Sequence, residues 1–311
     1  MFVLAHLSDP HLGPLPRPRL SELASKRALG FLNWHRRRAA LHRGEVLDAL
    51  VGDLKSFAPD HVAVTGDLVN ISLEAEFAPA RAWLDTLGSA ADVTVVPGNH
   101  DAYVRATALH SADHWGAYMR NDAAQALAGR EIFYPFVRRR GAVALIGLSS
   151  AVPTLPFMAT GRLGQDQLAR LSEILRDLGR EGLFRVVLIH HPPVSAPGKR
   201  FKRLLDAKAF RQVLAEHGAE LVLHGHDHVP SLIWLDGPQA RVPAFGVPSA
   251  SCPPGRGHAA AAYNLYRIEG EPGAWRCEAI ARGFRSEEEG IVELTRQTIS
   301  TAAAAPAATQ R

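Results

Sequence analysis

The sequence predicts a layered α/β domain, because short apolar runs alternate with amphipathic segments and the runs give way directly to polar clusters. Phe2 to Leu7 is the first strand-like run. Glu45 to Phe57 has apolar residues at three- and four-residue spacing and reads as a helix, followed by a strand at Val62 to Thr65. The alternation continues with a helix at Leu73 to Leu87, a strand at Val93 to Val96 and a helix at Asp113 to Leu127. Phe133 to Val137 and Val143 to Leu148 are further strand candidates, ahead of a helix at Gln165 to Leu178 and a strand at Val186 to Ile189. A helix at Asp206 to Glu216 leads to a strand at Leu221 to Leu223. Leu232 to Leu235, Val242 to Phe245, Ala262 to Ile268 and Trp275 to Ile280 complete the strands, with Asp236-Gly237 as a hairpin-turn signal. Two packed sheets with helices outside use all of these elements.

The chain of 311 residues suits one large domain over 1–300, with a basic, aromatic-containing cap or insert at 13–45. The Ala-rich, Pro-interrupted stretch at 301–311 reads as a disordered tail. A formal net charge of +4 is too small to imply a nucleic-acid binder. Cys252 and Cys277 carry no motif, which fits a reducing compartment. His6 and Asp9 interrupt the N-terminal apolar run before it reaches signal-peptide length, and no apolar stretch is long enough to span a bilayer. The expected location is cytoplasmic, with contact at the inner membrane face as the open alternative.

Polar clusters follow five of the apolar runs: Asp9-Pro10-His11, Gly66-Asp67, Gly98-Asn99-His100-Asp101, His190-His191-Pro192 and Gly225-His226-Asp227-His228. In open α/β sheets function collects at the carboxyl ends of the strands, where these clusters sit. Their donors are oxygen and nitrogen without thiolate, a set that suits Mn, Fe, Zn or Co at a hydrolytic centre better than a structural zinc site. Asp67 alone reads either as a metal-bridging carboxylate or as a helix cap, and Asp101 as an orienting partner for His100 or as a cap.

The order D-x-H, GD, GNHD, H-x-P, GHDH resembles the calcineurin-like metallophosphoesterase superfamily, from Asp9 to His228. The resemblance implies a four-layer α/β/β/α sandwich and two divalent or trivalent metal ions. One ion would be held by Asp9, His11 and His228, the other by Asn99, His190 and His226, with Asp67 bridging. It implies attack on phosphorus by a hydroxide shared between the ions. His100 would stabilise the transferring group or protonate the leaving oxygen, with Asp101 orienting its ring. Asp227 and His191 would support the ligands.

Motif forms and length resemble bacterial phosphodiesterases of the cyclic-nucleotide and glycerophosphodiester type, so a small anionic phosphoester is the expected substrate. The stretch after the first motif holds Arg17, Arg19, Lys26, Arg27, Arg36, Arg37, Arg38 and Arg43 beside Leu29, Phe31, Leu32 and Trp34. It reads either as a solvated helix face or as a lipid contact through 17–43. The lipid contact is similar to the cap of UDP-diacylglucosamine hydrolases of the lipid A pathway. Arg17, Arg27 and Arg36 are candidate phosphate contacts there, with Phe31 and Trp34 against lipid, and Arg200, in the basic run Lys199 to Arg203, either borders the same cleft or lies on a solvated loop. Tyr103 lines the pocket or packs. A nuclease or a protein phosphatase is a less favoured reading, since no long basic groove signature is present.

Overall fold

The computed structural model describes residues 1–107, 110–122, 132–255 and 257–300. In chain order its strands and helices are β1 (Phe2–Leu7), α1 (Leu20–Leu23), α2 (Arg27–Arg36), α3 (Gly44–Ser56), β2 (His61–Val64), α4 (Glu74–Leu87), β3 (Val93–Val95) and α5 (His110–Trp115). They continue as β4 (Phe136–Arg140), β5 (Val143–Gly147), α6 (Gln165–Arg180), β6 (Phe184–Leu188), α7 (Ala207–His217) and β7 (Leu221–His224). The last are β8 (Ser231–Leu235), β9 (Val242–Gly246), β10 (Ala262–Glu269), β11 (Arg276–Ser286) and β12 (Gly290–Ser300). They form two mixed six-stranded sheets, ordered β12-β11-β10-β1-β2-β3 and β4-β5-β6-β7-β9-β8.

Side-chain alternation along the strands builds the layers. In the second sheet, Val143, Leu145, Val186, Leu188, Leu221 and Leu223 join the core that includes the first sheet, while the intervening Ala144, Ile146, Val187 and Val222 join a separate core with Leu168, Leu171, Leu175 and Leu178 of α6. That spacing on α6 is the apolar stripe that predicted it. Rings meet across the sheets, with Phe245 of β9 lying 5.4 Å from Tyr266 of β10 between centres. On the first sheet's other side, Leu47, Leu50 and Leu54 of α3 are buried and Tyr263 of β10 hydrogen-bonds Asp53 at 2.6 Å. The result is the expected four-layer sandwich.

Four differences separate the structure from the sequence reading. β4 starts after Pro135, which lacks the N–H that a ladder needs. The Asp236-Gly237 hairpin exists, but Leu235 opposes Val242, so the connection is the longer segment 236–241. β12 was not anticipated; it is a sheet edge paired only to β11, and it carries Glu293, Arg296 and other exposed residues instead of an apolar run. The helix expected at Asp113 to Leu127 begins at His110 and gives way after Trp115 to a 3-10 turn at Gly116–Met119. Positions 123–127, like the expected tail at 301–311, lie outside the described residues. Among those described, no helix is long and apolar enough to cross a membrane.

β1, β2 and β3 are mutually parallel, as are β5, β6, β7 and β9. Their carboxyl ends therefore face one edge of the sandwich. There the sheets are joined by a parallel bridge between Ser8 and Ser249.

Candidate metal centre

Each predicted ligand sits within a few residues of the end of β1, β2, β3, β6 or β7, and the turns that present them are strained. Asp9, His11, Asp67, His226 and His228 all have left-handed backbone, with φ of 53°, 43°, 57°, 69° and 55°. A non-glycine residue held there costs ~1–3 kcal/mol, and such residues cluster where surrounding structure over-determines them for function. Gly66, at φ 95°, leaves room that a side chain would take from Gly98 and His190.

The two carboxylates are oriented alike. Asp9 Oδ2 accepts the His226 backbone N–H at 3.0 Å and leaves Oδ1 facing His228 Nε2, also at 3.0 Å. Asp67 Oδ1 accepts the His100 backbone N–H at 2.7 Å, while Oδ2 lies 3.8 Å from His11 Nε2 and 3.4 Å from His190 Nε2. Ligand atoms of Asp9, His11, Asp67 and His228 lie within 4.8 Å of one another. A second group forms on the other side of Asp67: His190 Nε2 is 3.2 Å from Asn99 Oδ1 and 3.2 Å from His226 Nδ1.

Hydrogen bonds at the far ring nitrogens fix which lone pairs point inward. His190 donates Nδ1–H to the Thr65 carbonyl at 2.6 Å, and His226 donates Nε2–H to the Lys202 carbonyl at 2.8 Å. His190 Nε2, His226 Nδ1, Asn99 Oδ1 and Asp67 Oδ2 thus converge in a buried space, an arrangement that a proton on His190 or a metal cation relieves. Burial lowers the affinity of the His190 ring for a proton, yet the Asp67 and Asp9 carboxylates overcome it and carry its pKa up to about 10. The residues present fit two cations of the oxygen- and nitrogen-loving type.

The remaining expectations divide. His100 lies beside the first group, its ring centre 4.9 Å from that of His11, with Nδ1 against the Asn70 carbonyl. Tyr103 stacks on His100 with ring centres 5.4 Å apart and carries Lys26 Nζ over its ring, 4.2 Å from the centre. Asp101 does not orient the His100 ring, nor does it cap a helix. Its buried carboxylate accepts the backbone N–H groups of Asp67, Leu68, Val69 and Gly98 at 2.8 to 3.2 Å, and so stitches two ligand loops together. Arg27 is largely committed to structure: its buried guanidinium gives Nε–H and both Nη2 hydrogens to the Ile71 and Ser72 carbonyls and to Thr107 Oγ1. Arg36 and Arg200 are exposed, and no hydrogen bond or ion pair joins either to a ligand side chain among the described residues. His191 is held by Ser150 Oγ at 2.8 Å and the Ala159 carbonyl at 3.1 Å, and Asp227 by Lys199 at 2.8 Å.

Sequence reasoning passed over several residues here. Glu76 of α4 accepts the backbone N–H groups of Asn70, Ile71 and Leu73 and so shapes the loop after Asp67. Ser249 donates to the Asp9 carbonyl at 2.7 Å. Arg38 reaches His11 and His100 with different guanidinium nitrogens. None of these carries a motif; only the acid three residues past Leu73, a capping-box spacing, gave a local signal.

Residues 2–230 match the calcineurin-like phosphoesterases. The chain belongs to that family. That family is one of metal-dependent phosphoester hydrolases built on a dinuclear metal centre. A probable cyclic nucleotide phosphodiesterase from Synechococcus is 30% identical to the phosphoesterase over 185 residues, covering 58% of this chain and 62% of that one. The match thus spans about three-fifths of that relative's length. A dimetal phosphatase from Danio rerio superposes with a TM-score of 0.62 at 13% identity, covering 97% of this chain and 99% of the other. A purple acid phosphatase from yellow lupin gives 0.54 at 12% identity over 96% of this chain and 53% of the other. Both likenesses are of fold.

Proposed function

We propose that the phosphoesterase hydrolyses a small phosphodiester, a cyclic nucleotide or a glycerophosphodiester-like compound, at a centre holding two metal ions. The observation that carries this reading is Asp67 Oδ2, which faces His11 on one side and His190 on the other while Oδ1 is held by backbone. Asp9, His11 and His228 would hold one ion, Asn99, His190 and His226 the other. When bound, such ions act as Lewis acids on phosphoryl oxygens and lower the pKa of water to about neutrality. Mn, Fe, Zn or Co suits the donors.

The chain's own groups supply the rest. His100, its Nδ1 directed at the Asn70 carbonyl, holds Nε2 beside Arg38 Nη1 at 2.9 Å, where the ring would stabilise charge on the transferring group. Stacking on Tyr103 keeps that ring in place. One water adds to phosphorus and one ester oxygen leaves as an alcohol, so the product is a monoester. The named relative supports the cyclic-nucleotide form of the reading.

A second reading, a UDP-diacylglucosamine-type pyrophosphohydrolase acting at a membrane surface, is favoured by apolar side chains around the same edge. Leu29 and Leu32 of α2 are half exposed, and Phe157 and Leu155 are 87% and 72% exposed on a loop that Lys26 ties to α2 through Thr154 at 3.2 Å. Phe201, 48% exposed, pairs that loop through its carbonyl one residue from Lys202, which holds His226. Basic and apolar groups together suit an anionic lipid.

Purified, Mn-loaded protein assayed on an aryl phosphodiester, an aryl phosphomonoester, a cyclic nucleotide and UDP-diacylglucosamine separates the readings. The first requires turnover of the aryl diester, and its cyclic-nucleotide form requires turnover of the cyclic nucleotide as well. Turnover of the lipid with an inert cyclic nucleotide gives the second, and turnover of the monoester alone overturns both.

A further inference from the structure

Arg38 is the one group of the 13–45 segment whose charged end enters the metal centre, and no motif of the family predicts it. It opens the 3-10 turn Arg38–Ala40 that follows α2. The turn is anchored from both sides. Trp34, buried near the end of α2, packs toward Gly13 and stacks on His42 with ring centres 6.1 Å apart. His42 Nδ1 meets Ser251 Oγ at 3.0 Å, and the Arg43 N–H donates to the Ser251 carbonyl at 3.0 Å. The loop after β9 that supports Asp9 through Ser249 therefore also sets the position of Arg38.

The guanidinium approaches the centre as a fork. Nη1 lies 2.9 Å from Nε2 and 3.3 Å from Nδ1 of His100, and Nη2 lies 2.9 Å from Nε2 and 3.0 Å from Nδ1 of His11, so each nitrogen rests against an imidazole. Among the described residues no carboxylate comes within ion-pair distance of it. An arginine with two donors aimed into a buried cluster and no paired anion is a charge awaiting a counterion. The guanidinium thus stands beside the position that a cation held by Asp9, His11, Asp67 and His228 would take. Beyond the Asp9 and Asp67 carboxylates, two positive groups side by side favour a further anion, and a phosphoryl group suits the arginine's planar fork and is negatively charged.

We propose that Arg38 is a further catalytic residue of this phosphoesterase, binding a non-bridging oxygen of the substrate phosphoryl group beside the first metal position and His100. The proposal rests on the phosphoesterase reading of the centre. Donors aimed at the phosphoryl oxygens act most strongly as charge builds there, so the contact contributes more to turnover than to ground-state binding. It also gives the 13–45 segment a role at the reacting atoms, independent of what its outer face touches.

The test uses the metal-loaded, full-length protein and its Arg38→Ala, Arg38→Lys and Arg37→Ala variants. Metal content is measured first, then kcat and KM on an aryl phosphodiester, and then binding of inorganic phosphate by calorimetry. Removing one such donor is expected to lower kcat by ~10²–10³-fold, with a smaller change in KM, while metal content and melting temperature hold. Arg38→Lys recovers part of the loss, because it keeps the charge without the fork. Arg37→Ala, on the exposed neighbour, matches the unaltered protein. Phosphate binding is expected to weaken about tenfold or more in Arg38→Ala. Equal phosphate affinity in Arg38→Ala and the unaltered protein overturns the proposal, as does loss of metal from the variant or no phosphate binding by either. If the unaltered protein cleaves none of the esters yet binds phosphate in an Arg38-dependent way, the contact stands and the phosphodiesterase reading falls.

Discussion

The ligand loops and the 13–45 segment bring side chains to the same edge of the sandwich by opposite means. Each loop is a tether of a few residues from a buried parallel strand, so its position is inherited from the sheet. Left-handed backbone at Asp9, His11, Asp67, His226 and His228 then aims the donors, and amides fix one oxygen of each carboxylate. The segment has no strand beneath it. It is placed by docking, through Arg27 on the loop after Asp67 and through Trp34 and His42 near the loop after β9. Strain is tolerated in the first case because a stiff sheet opposes it, whereas the second depends on the contacts that the segment itself makes.

The sharpest break of this comparison is Asp67→Ala, which removes the carboxylate shared by both groups. Activity is expected to fall by at least ~10³-fold, and metal analysis to show fewer than two ions per chain. A variant that keeps both ions and its turnover would mean that the loops do not share Asp67.

Arg27→Met tests the docking side with a smaller effect. Three buried acceptors lose their donor, so stability should drop by ~2–3 kcal/mol, read as a lower denaturant midpoint, while KM moves less than about threefold. A tenfold rise in KM at unchanged stability would return Arg27 to the substrate.

Least visible at neutral pH is His61, in the scaffold beneath the loops. Burial pulls its imidazole down to about 3, with Arg140 and Arg138 adding to the effect, and its Nε2 faces Thr94 Oγ1 at 2.7 Å. The folded-state pKa lies below the ordinary 6.5, so its contribution to stability is full above about pH 6.5 and is lost as pH falls toward 3. His61→Gln should therefore narrow the gap between urea midpoints at pH 7 and pH 5. An unchanged gap would show that His61 does not drive the acid response.

The same contrast decides how much was legible in the sequence. Strands with both faces buried read as apolar runs, and the polar residues that end them stand out, so both sheets and the order of the ligand loops could be anticipated. Pattern failed where tertiary placement chooses among equivalent residues. Nothing local separates Arg38 from Arg36 or Arg37; the docking of Trp34 and His42 decides which guanidinium faces inward. Asp101 misled for a related reason, since adjacency to His100 suggested a partner whereas the carboxylate turns back onto the amides of another loop. β12 escaped because an edge strand needs no apolar run.

The central claim is that Asp67 stands between two metal ions. Crystals soaked in manganese and recorded at its absorption edge should show two anomalous peaks ~3.5–4 Å apart. One should lie beside Asp9, His11 and His228, the other beside Asn99, His190 and His226, with Asp67 Oδ2 touching both. A single peak, or a pair of which Asp67 touches only one, would contradict the account.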